Sequence, residues 1–180
     1  MSLDPSSTCT GMALFSVSGA LVSATELRPP AKWSRWQRIA AMCQGVRMSF
    51  NTYQPDVVVM EVPSGNRTGS HRREGKKAIV ACSEACGAVA GILMGLGVPL
   101  AVVEPNVWTG GSSKEARIRL AVARIHNTDA DILLSYQDAG DAVALGLWWY
   151  DQDAVTKAEA LTDTTARRPA RPIPVLPQPA

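Results

Sequence analysis

Apolar and polar positions follow one another along the chain in blocks that predict strands and helices in turn. Two apolar runs, 12–17 and 20–26, flank Ser18-Gly19 and predict a β-hairpin. The continuous apolar runs 57–60 and 99–103 are typical of strands buried on both faces. We therefore expect an α/β protein in which helices cover both faces of a mixed sheet.

Apolar residues spaced by three and four predict a helix from about 31 to 53. The stripe consists of Trp33, Trp36, Ile39, Ala40, Cys43, Val46 and Phe50. A helix packed on the sheet is the simpler interpretation of this stripe. A tryptophan platform for nucleic-acid bases is the alternative.

Three further helices are predicted, at 78–96, at about 114–126, and from Asp138 onward. The first is rich in alanine and glycine, which suits close packing on a sheet or on a second copy of the chain. Residues 106–111 are predicted to form a loop, and 127–135 have a weak pattern. A Pro-rich composition near the end predicts a disordered or polyproline tail at 151–180, after a single domain at 1–150.

Composition excludes several function classes. The net charge of +2 does not indicate a nucleic-acid binder by itself, so a basic surface must be local. Four cysteines without a Cys-x-x-Cys spacing, together with only two histidines, disfavour a zinc site. Neither a signal peptide nor an apolar run of about 20 residues is apparent, which predicts a cytoplasmic protein without a membrane segment.

Carboxylates occur at the ends of two predicted strands and at the start of the last helix. Asp4 is followed by turn-forming residues, where a cap of the turn and a functional carboxylate both remain open. Glu61 ends the strand 57–60, and strand ends are where α/β proteins build their sites. Asp138 and Asp141 share one helix face, where they repel each other unless a cation lies between them.

Four carboxylates without a histidine or thiolate partner form a set of hard ligands, which favours Mg²⁺ or Mn²⁺. Two such ions about 4 Å apart can activate water and stabilise the leaving oxygen of a phosphodiester. The segment 62–77, directly after Glu61, is the most basic of the chain. Its cations, expected to contact a phosphate backbone, are Arg67, His71, Arg72, Arg73, Lys76 and Lys77.

With these acids in this order, the chain resembles RuvC-type Holliday-junction resolvases of the ribonuclease H-like fold, over about residues 1–150. The matching residues are Asp4-Pro5, Thr10-Gly11, Val59-Met60-Glu61, 87–90, Val103-Glu104-Pro105, Lys114 and 138–142. The resemblance implies a five-stranded mixed sheet, and Asp4, Glu61, Asp138 and Asp141 as catalytic ligands of two metal ions. It also implies that Lys114 lies near the scissile phosphate of bound DNA, and that a homodimer, paired through helix 78–96, cuts four-way junctions.

Three departures from the family pattern point to a looser selection of branched DNA, as in phage relatives. Ser6 replaces a glycine, the segment 62–77 lacks an aromatic residue, and no second basic residue stands beside Trp108. A junction-binding protein without catalysis is the alternative function. An actin-like ATPase would need a second domain, for which 180 residues leave no room. Because only three residues precede Asp4, we also expect the natural start to lie upstream of Met1.

Overall fold

The structure is a computed structural model, and it describes residues 1–63, 74–125 and 136–165. The strands in these ranges are β1 (Ser2–Pro5), β2 (Thr10–Phe15), β3 (Leu21–Leu27), β4 (Val58–Glu61) and β5 (Leu100–Val103). The helices are α1 (Arg35–Tyr53), α2 (Glu74–Gly95), α3 (Pro105–Trp108), α4 (Lys114–Ile125), α5 (Gln137–Asp151) and α6 (Ala154–Thr165).

The five strands form one mixed sheet with the order β3-β2-β1-β4-β5. β1 pairs antiparallel with β2 and parallel with β4, and β4 pairs parallel with β5. In this register Asp4 lies opposite Gly11, and Leu3 lies beside Met60. The carboxyl ends of β1 and β4 therefore meet at one edge of the sheet, and the predicted α/β fold with a five-stranded mixed sheet is confirmed.

Successive side chains of each strand point to opposite faces of the sheet, so an apolar core forms on each face. Leu3, Met60 and Leu100 pack with the buried faces of α1 and α2. Val59 and Ala101 point the other way and pack with α5 and α6. Because both faces carry apolar side chains, helices cover both faces, as predicted.

α1 begins at Arg35, four residues later than predicted. Ser34 is the N-cap, and its hydroxyl accepts a hydrogen bond from the backbone N–H of Gln37 in a capping box. The buried residues of α1 are Ile39, Met42, Cys43 and Val46. Trp33 precedes the helix and is 40% exposed, and Trp36 in its first turn is 58% exposed. The prediction that these two tryptophans belong to the packed stripe is therefore wrong.

Helical structure also extends into segments that the sequence pattern did not predict to be helical. α2 begins at Glu74, within the basic segment 62–77 and four residues before the predicted helix 78–96, and α3 overlaps the predicted loop 106–111. α6 occupies part of the segment assigned to the tail, because Ala160 and Leu161 give it an apolar face that packs against the core. The Pro-rich residues 166–180 lie outside the described residues.

The part of α2 from Lys77 to Gly95 has the length and the composition of a membrane-spanning helix, with a mean hydropathy of 1.8. One such helix is weak evidence for a membrane segment, and this one contains Lys77 and Glu84. A core helix fulfils the same criteria, and Ala85, Cys86, Val89 and Leu93 are buried against the sheet.

Candidate active site

The strand register and one glycine bring the predicted acids to the same edge of the sheet. Asp4 and Glu61 lie at the ends of the neighbouring strands β1 and β4. A Cβ on Gly11 would lie 1.8 Å from the backbone oxygen of Asp138, so only glycine allows α5 to approach β2 this closely. The first turn of α5, with Asp138 and Asp141, is thereby placed beside Asp4.

The carboxyl group of Asp4 is the centre of this group of acids. Burial raises the pKa of Asp4 well above its usual value, and the charges of Glu61 and Asp141 raise it further. In the described part of the chain, no side chain forms a hydrogen bond or an ion pair with this carboxyl group. Burial and the neighbouring acids therefore favour the protonated form of Asp4, and a cation bound beside it would favour the ionised form.

Glu61 has one fixed partner. The indole Nε1–H of Trp108 donates a hydrogen bond of 2.8 Å to Oε2 of Glu61. Burial raises the pKa of Glu61, although the hydrogen bond from Trp108 acts in the opposite direction. Because this contact fixes Oε2, it also fixes the orientation of the other carboxylate oxygen, Oε1 of Glu61.

A cation does lie between Asp138 and Asp141, and it is the ammonium group of Lys114. Nζ of Lys114 is 2.9 Å from Oδ1 of Asp138 and 3.0 Å from Oδ2 of Asp141. Burial favours the neutral form of Asp138, but the hydrogen bond and charge of Lys114 outweigh it and lower the pKa of Asp138. Lys114 therefore compensates the repulsion that the sequence predicted for this pair.

Arg117 joins the site from the next turn of α4. Its Nη2 lies 3.1 Å from Oδ1 of Asp141, and its guanidinium carbon lies 4.9 Å from the ring centroid of Trp108. The second basic residue expected beside Trp108 is therefore present in space, nine positions along the chain. Arg117 is three positions after Lys114, so the two share one face of a helix, and this spacing could have indicated Arg117 from the sequence.

Two further residues that the sequence did not single out hold the start of α5. Oε1 of Glu26 accepts a hydrogen bond of 3.0 Å from the backbone N–H of Asp138, which caps α5 from β3. Nη2 of Arg28 bridges Glu26 at 2.8 Å and Asp138 at 3.1 Å. These contacts fix the direction in which α5 presents its acids.

Within the ranges that the structure describes, one group of three metal-type ligands has atoms within 4.8 Å of one another, and it consists of Cys9, Glu26 and Asp138. The group therefore contains only one of the four predicted acids. Burial, with the nearby charge of Asp138, raises the pKa of Cys9 to about 12. A thiol is a soft ligand that suits Mg²⁺ and Mn²⁺ poorly, and Arg28 already bridges Glu26 and Asp138. This group is therefore better explained as part of the support of α5.

The predicted acids fit a hard divalent cation. All four offer carboxylate oxygen, and besides burial the charges of Glu61, Asp138 and Asp141 all raise the pKa of Asp4, so the four carboxyl groups act on one another. Ligation by Asp4, Glu61, Asp138 and Asp141 nevertheless remains a prediction. Lys114, predicted to lie near the scissile phosphate, contacts two of these acids.

The predicted DNA-binding segment is described only in part. Lys77 is exposed in the first turn of α2. Arg67, His71, Arg72 and Arg73 lie outside the described residues, as does the side chain of Lys76.

No protein-family model and no curated protein sequence matches the chain. Two solved structures of Thermus thermophilus RuvC are similar to it. One, RuvC in complex with a Holliday junction substrate, has a TM-score of 0.64 and 18% identity over 82% of this chain and 89% of that chain. The other has a TM-score of 0.59 and 17% identity over 82% and 90%. These similarities confirm the predicted ribonuclease H-like fold.

Proposed function

We propose that this chain is a metal-dependent endonuclease that cleaves four-way junctions or other branched DNA, in recombination, repair or phage DNA processing. The observation that carries the proposal is that the ends of β1 and β4 and the first turn of α5, which contain the four acids, converge at one edge of the sheet. The fold shared with RuvC, which has been solved with a Holliday junction, supports the choice of substrate.

In this proposal Asp4, Glu61, Asp138 and Asp141 hold Mg²⁺ or Mn²⁺, with two ions in the site. When bound, the ions activate a water molecule and stabilise the leaving oxygen of the phosphodiester. Bound ions would favour the ionised form of Asp4, and Trp108 orients Glu61 through the 2.8 Å hydrogen bond.

In this proposal Lys114 leaves its two acidic partners, Asp138 and Asp141, when metal ions bind to them. Its ammonium lies between Asp138 and Asp141 and would be released by a cation that binds these acids. A released ammonium beside the site is suited to bind the scissile phosphate. Arg117 keeps Asp141 in place through its contact of 3.1 Å.

We infer that branched DNA is bound by a homodimer. The basic segment 62–77 follows Glu61 directly and supplies cations for the phosphate backbone. α2 presents an exposed face of small and apolar residues, which are Val80, Gly87, Gly91 and Met94. No side chain or backbone atom lies within 4 Å of a Cβ built on Gly87 or Gly91, so a second helix has room to approach closely.

The direct test is cleavage of a synthetic mobile four-way junction, mapped at nucleotide resolution with Mg²⁺ and with EDTA. Flap, fork and duplex substrates of matched sequence serve as controls. We expect Mg²⁺-dependent cuts in opposed strands near the crossover, and junction binding without cleavage by Asp141→Asn. Equal cleavage by wild type and Asp141→Asn would exclude this site.

A non-catalytic protein that binds branched DNA is the second candidate. The observation in its favour is that Lys114 already neutralises Asp138 and Asp141 without a metal ion. Tight binding of the junction, with no cleavage at any Mg²⁺ or Mn²⁺ concentration, would select this function.

A further inference from the structure

The start of α1 exposes two tryptophans close to the candidate active site. Trp36 is 58% exposed and Trp33 is 40% exposed, and they lie three positions apart. Single exposed apolar side chains are ordinary on a protein surface. Two exposed indoles, three positions apart and beside the turn that follows Asp4, are suited to a ligand that stacks on them.

Arg35 belongs to the same surface and is held in place. Its guanidinium carbon lies 5.1 Å from the ring centroid of Trp36, within the range of a cation–π contact. Its Nε lies 3.1 Å from Oε2 of Glu84 on α2. The ring of Trp36 is therefore supported from one side before any ligand binds.

Arg38 fixes this surface to the candidate active site. Its Nη1 donates a hydrogen bond of 2.8 Å to the backbone oxygen of Trp33. Its Nε donates one of 3.3 Å to the backbone oxygen of Ser7, in the turn that follows Asp4. The tryptophans and the acids are thus connected through one short turn.

The charge around the tryptophans matches a nucleic acid. The segment 28–38 contains four cationic side chains, Arg28, Lys32, Arg35 and Arg38, and no acidic one. Arg28 and Arg35 are paired with acids outside this segment, whereas Lys32 and Arg38 form no ion pair within the described ranges. Grooves that bind single strands combine cations for the backbone with aromatic rings for the bases.

We propose that Trp33 and Trp36 form a stacking platform for unpaired or unstacked bases of the branched DNA. This inference rests on the proposed function and narrows its substrate to DNA with exposed bases near the cleavage site. The basic segment 62–77 contains no aromatic residue, so the platform supplies from α1 the base contact that this segment does not provide.

The test measures DNA binding by the full chain in Ca²⁺ or EDTA, so that it does not depend on cleavage. The substrates are a four-way junction with 2-aminopurine at the crossover, a single strand, and a duplex of the same sequence. We expect Trp36→Ala to weaken binding of the first two about tenfold and to abolish the 2-aminopurine response. Duplex affinity should change less than about twofold, and Trp36→Phe should restore most of the binding.

Tyr53→Ala is the matched control, because Tyr53 is 48% exposed at the other end of the same helix. It should bind all three substrates like wild type. Equal binding of junction and single strand by wild type and Trp36→Ala overturns the platform, whether or not the protein cleaves DNA. A change in molar mass by light scattering for Trp36→Ala, without a change in DNA affinity, also overturns it and assigns the tryptophans to a contact between copies.

Failure of the nuclease proposal gives a different result. In that case wild type would bind the junction through Trp36 and leave it uncut with Mg²⁺.

Discussion

The indole nitrogen of Trp108 lies 2.8 Å from a carboxylate oxygen of Glu61, and the ring of the same tryptophan lies under the guanidinium of Arg117. Arg117 in turn contacts Asp141 at 3.1 Å. One buried side chain therefore connects the acid of β4 with the acid of α5. Its Nε1–H binds Glu61 and its ring contacts Arg117, and a single substitution can remove the first contact while keeping the second.

Trp108→Phe should keep the ring beneath Arg117 and remove the hydrogen bond to Glu61. We expect the Mg²⁺ concentration for half-maximal cleavage to rise severalfold, since Glu61 loses its orientation. The free energy of unfolding should fall by about 1 kcal/mol. Titration of cleavage with Mg²⁺ and chemical denaturation measure the two effects. Trp149→Phe is the control, because it also replaces a buried indole with a smaller ring. It should leave the Mg²⁺ dependence of cleavage unchanged.

Asp4→Asn should remove cleavage and stabilise the metal-free protein. We expect a loss of cleavage of about 1000-fold, because a ligand of the reacting centre is lost. The folded-state pKa of Asp4 is raised, so the folded protein retains a proton that the unfolded chain releases. Wild-type stability in EDTA should therefore fall as the pH rises from about 4 towards the folded-state pKa.

Thermal unfolding in EDTA across this pH range measures the effect. Asp4→Asn should show a weaker decline and a higher melting temperature at neutral pH than wild type. A variant that is less stable than wild type at neutral pH would contradict the assignment of a raised pKa to Asp4.

Lys114→Met should leave Asp138 and Asp141 without their shared cation. Because Lys114 is 31% exposed, we expect a loss of about 2 kcal/mol, which is less than for a fully buried pair. Mg²⁺ should raise the melting temperature of the variant more than that of wild type, because it replaces the lost charge. Lys157→Met, at an exposed contact with Tyr150, is the control. An equal response to Mg²⁺ in wild type and Lys114→Met would show that no metal binds between these acids.

Gly11→Ala should push α5 away from the sheet, since the new Cβ would lie 1.8 Å from the backbone oxygen of Asp138. We expect a loss of about 3 kcal/mol in the free energy of unfolding, together with loss of cleavage. Gly95→Ala is the control, because no atom lies within 4 Å of its added Cβ. It should be neutral or stabilising by about 0.5 to 1 kcal/mol in chemical denaturation.

Met94→Arg should separate the proposed homodimer, because it places a charge on the exposed face of α2, where Met94 is 51% exposed. Light scattering should show a monomer for this variant and a dimer for wild type. Val155→Arg, at a side chain 67% exposed on α6, should remain a dimer. A monomeric wild type at micromolar concentration would contradict the dimer.

Local patterns in the sequence were sufficient for the strands, for the helices α1, α2, α4 and α5, and for the acids at the strand ends. Buried strands, turns and capping signals act over a few residues, so they can be read without knowing which segments meet. The capping box of Ser34 and Gln37 is a local signal for the start of α1, but the exposure of Trp36 is not local, because the packing of α1 on the sheet and on α2 decides which of its faces is buried. The helix α6 was likewise hidden, since its weak apolar face acquires a partner only in the folded sheet.

The electrostatics of the site were decided by the tertiary structure alone. Contacts between Lys114 and Asp141, between Arg117 and Trp108, and between Glu26 and the start of α5 join segments that are far apart or on different elements. The chain supplied the charges, but the distances between them depend on how β1, β4 and α5 converge. Interactions between charges depend steeply on distance and burial. The sequence alone therefore cannot determine which acid has a raised pKa and which acid forms an ion pair with a lysine.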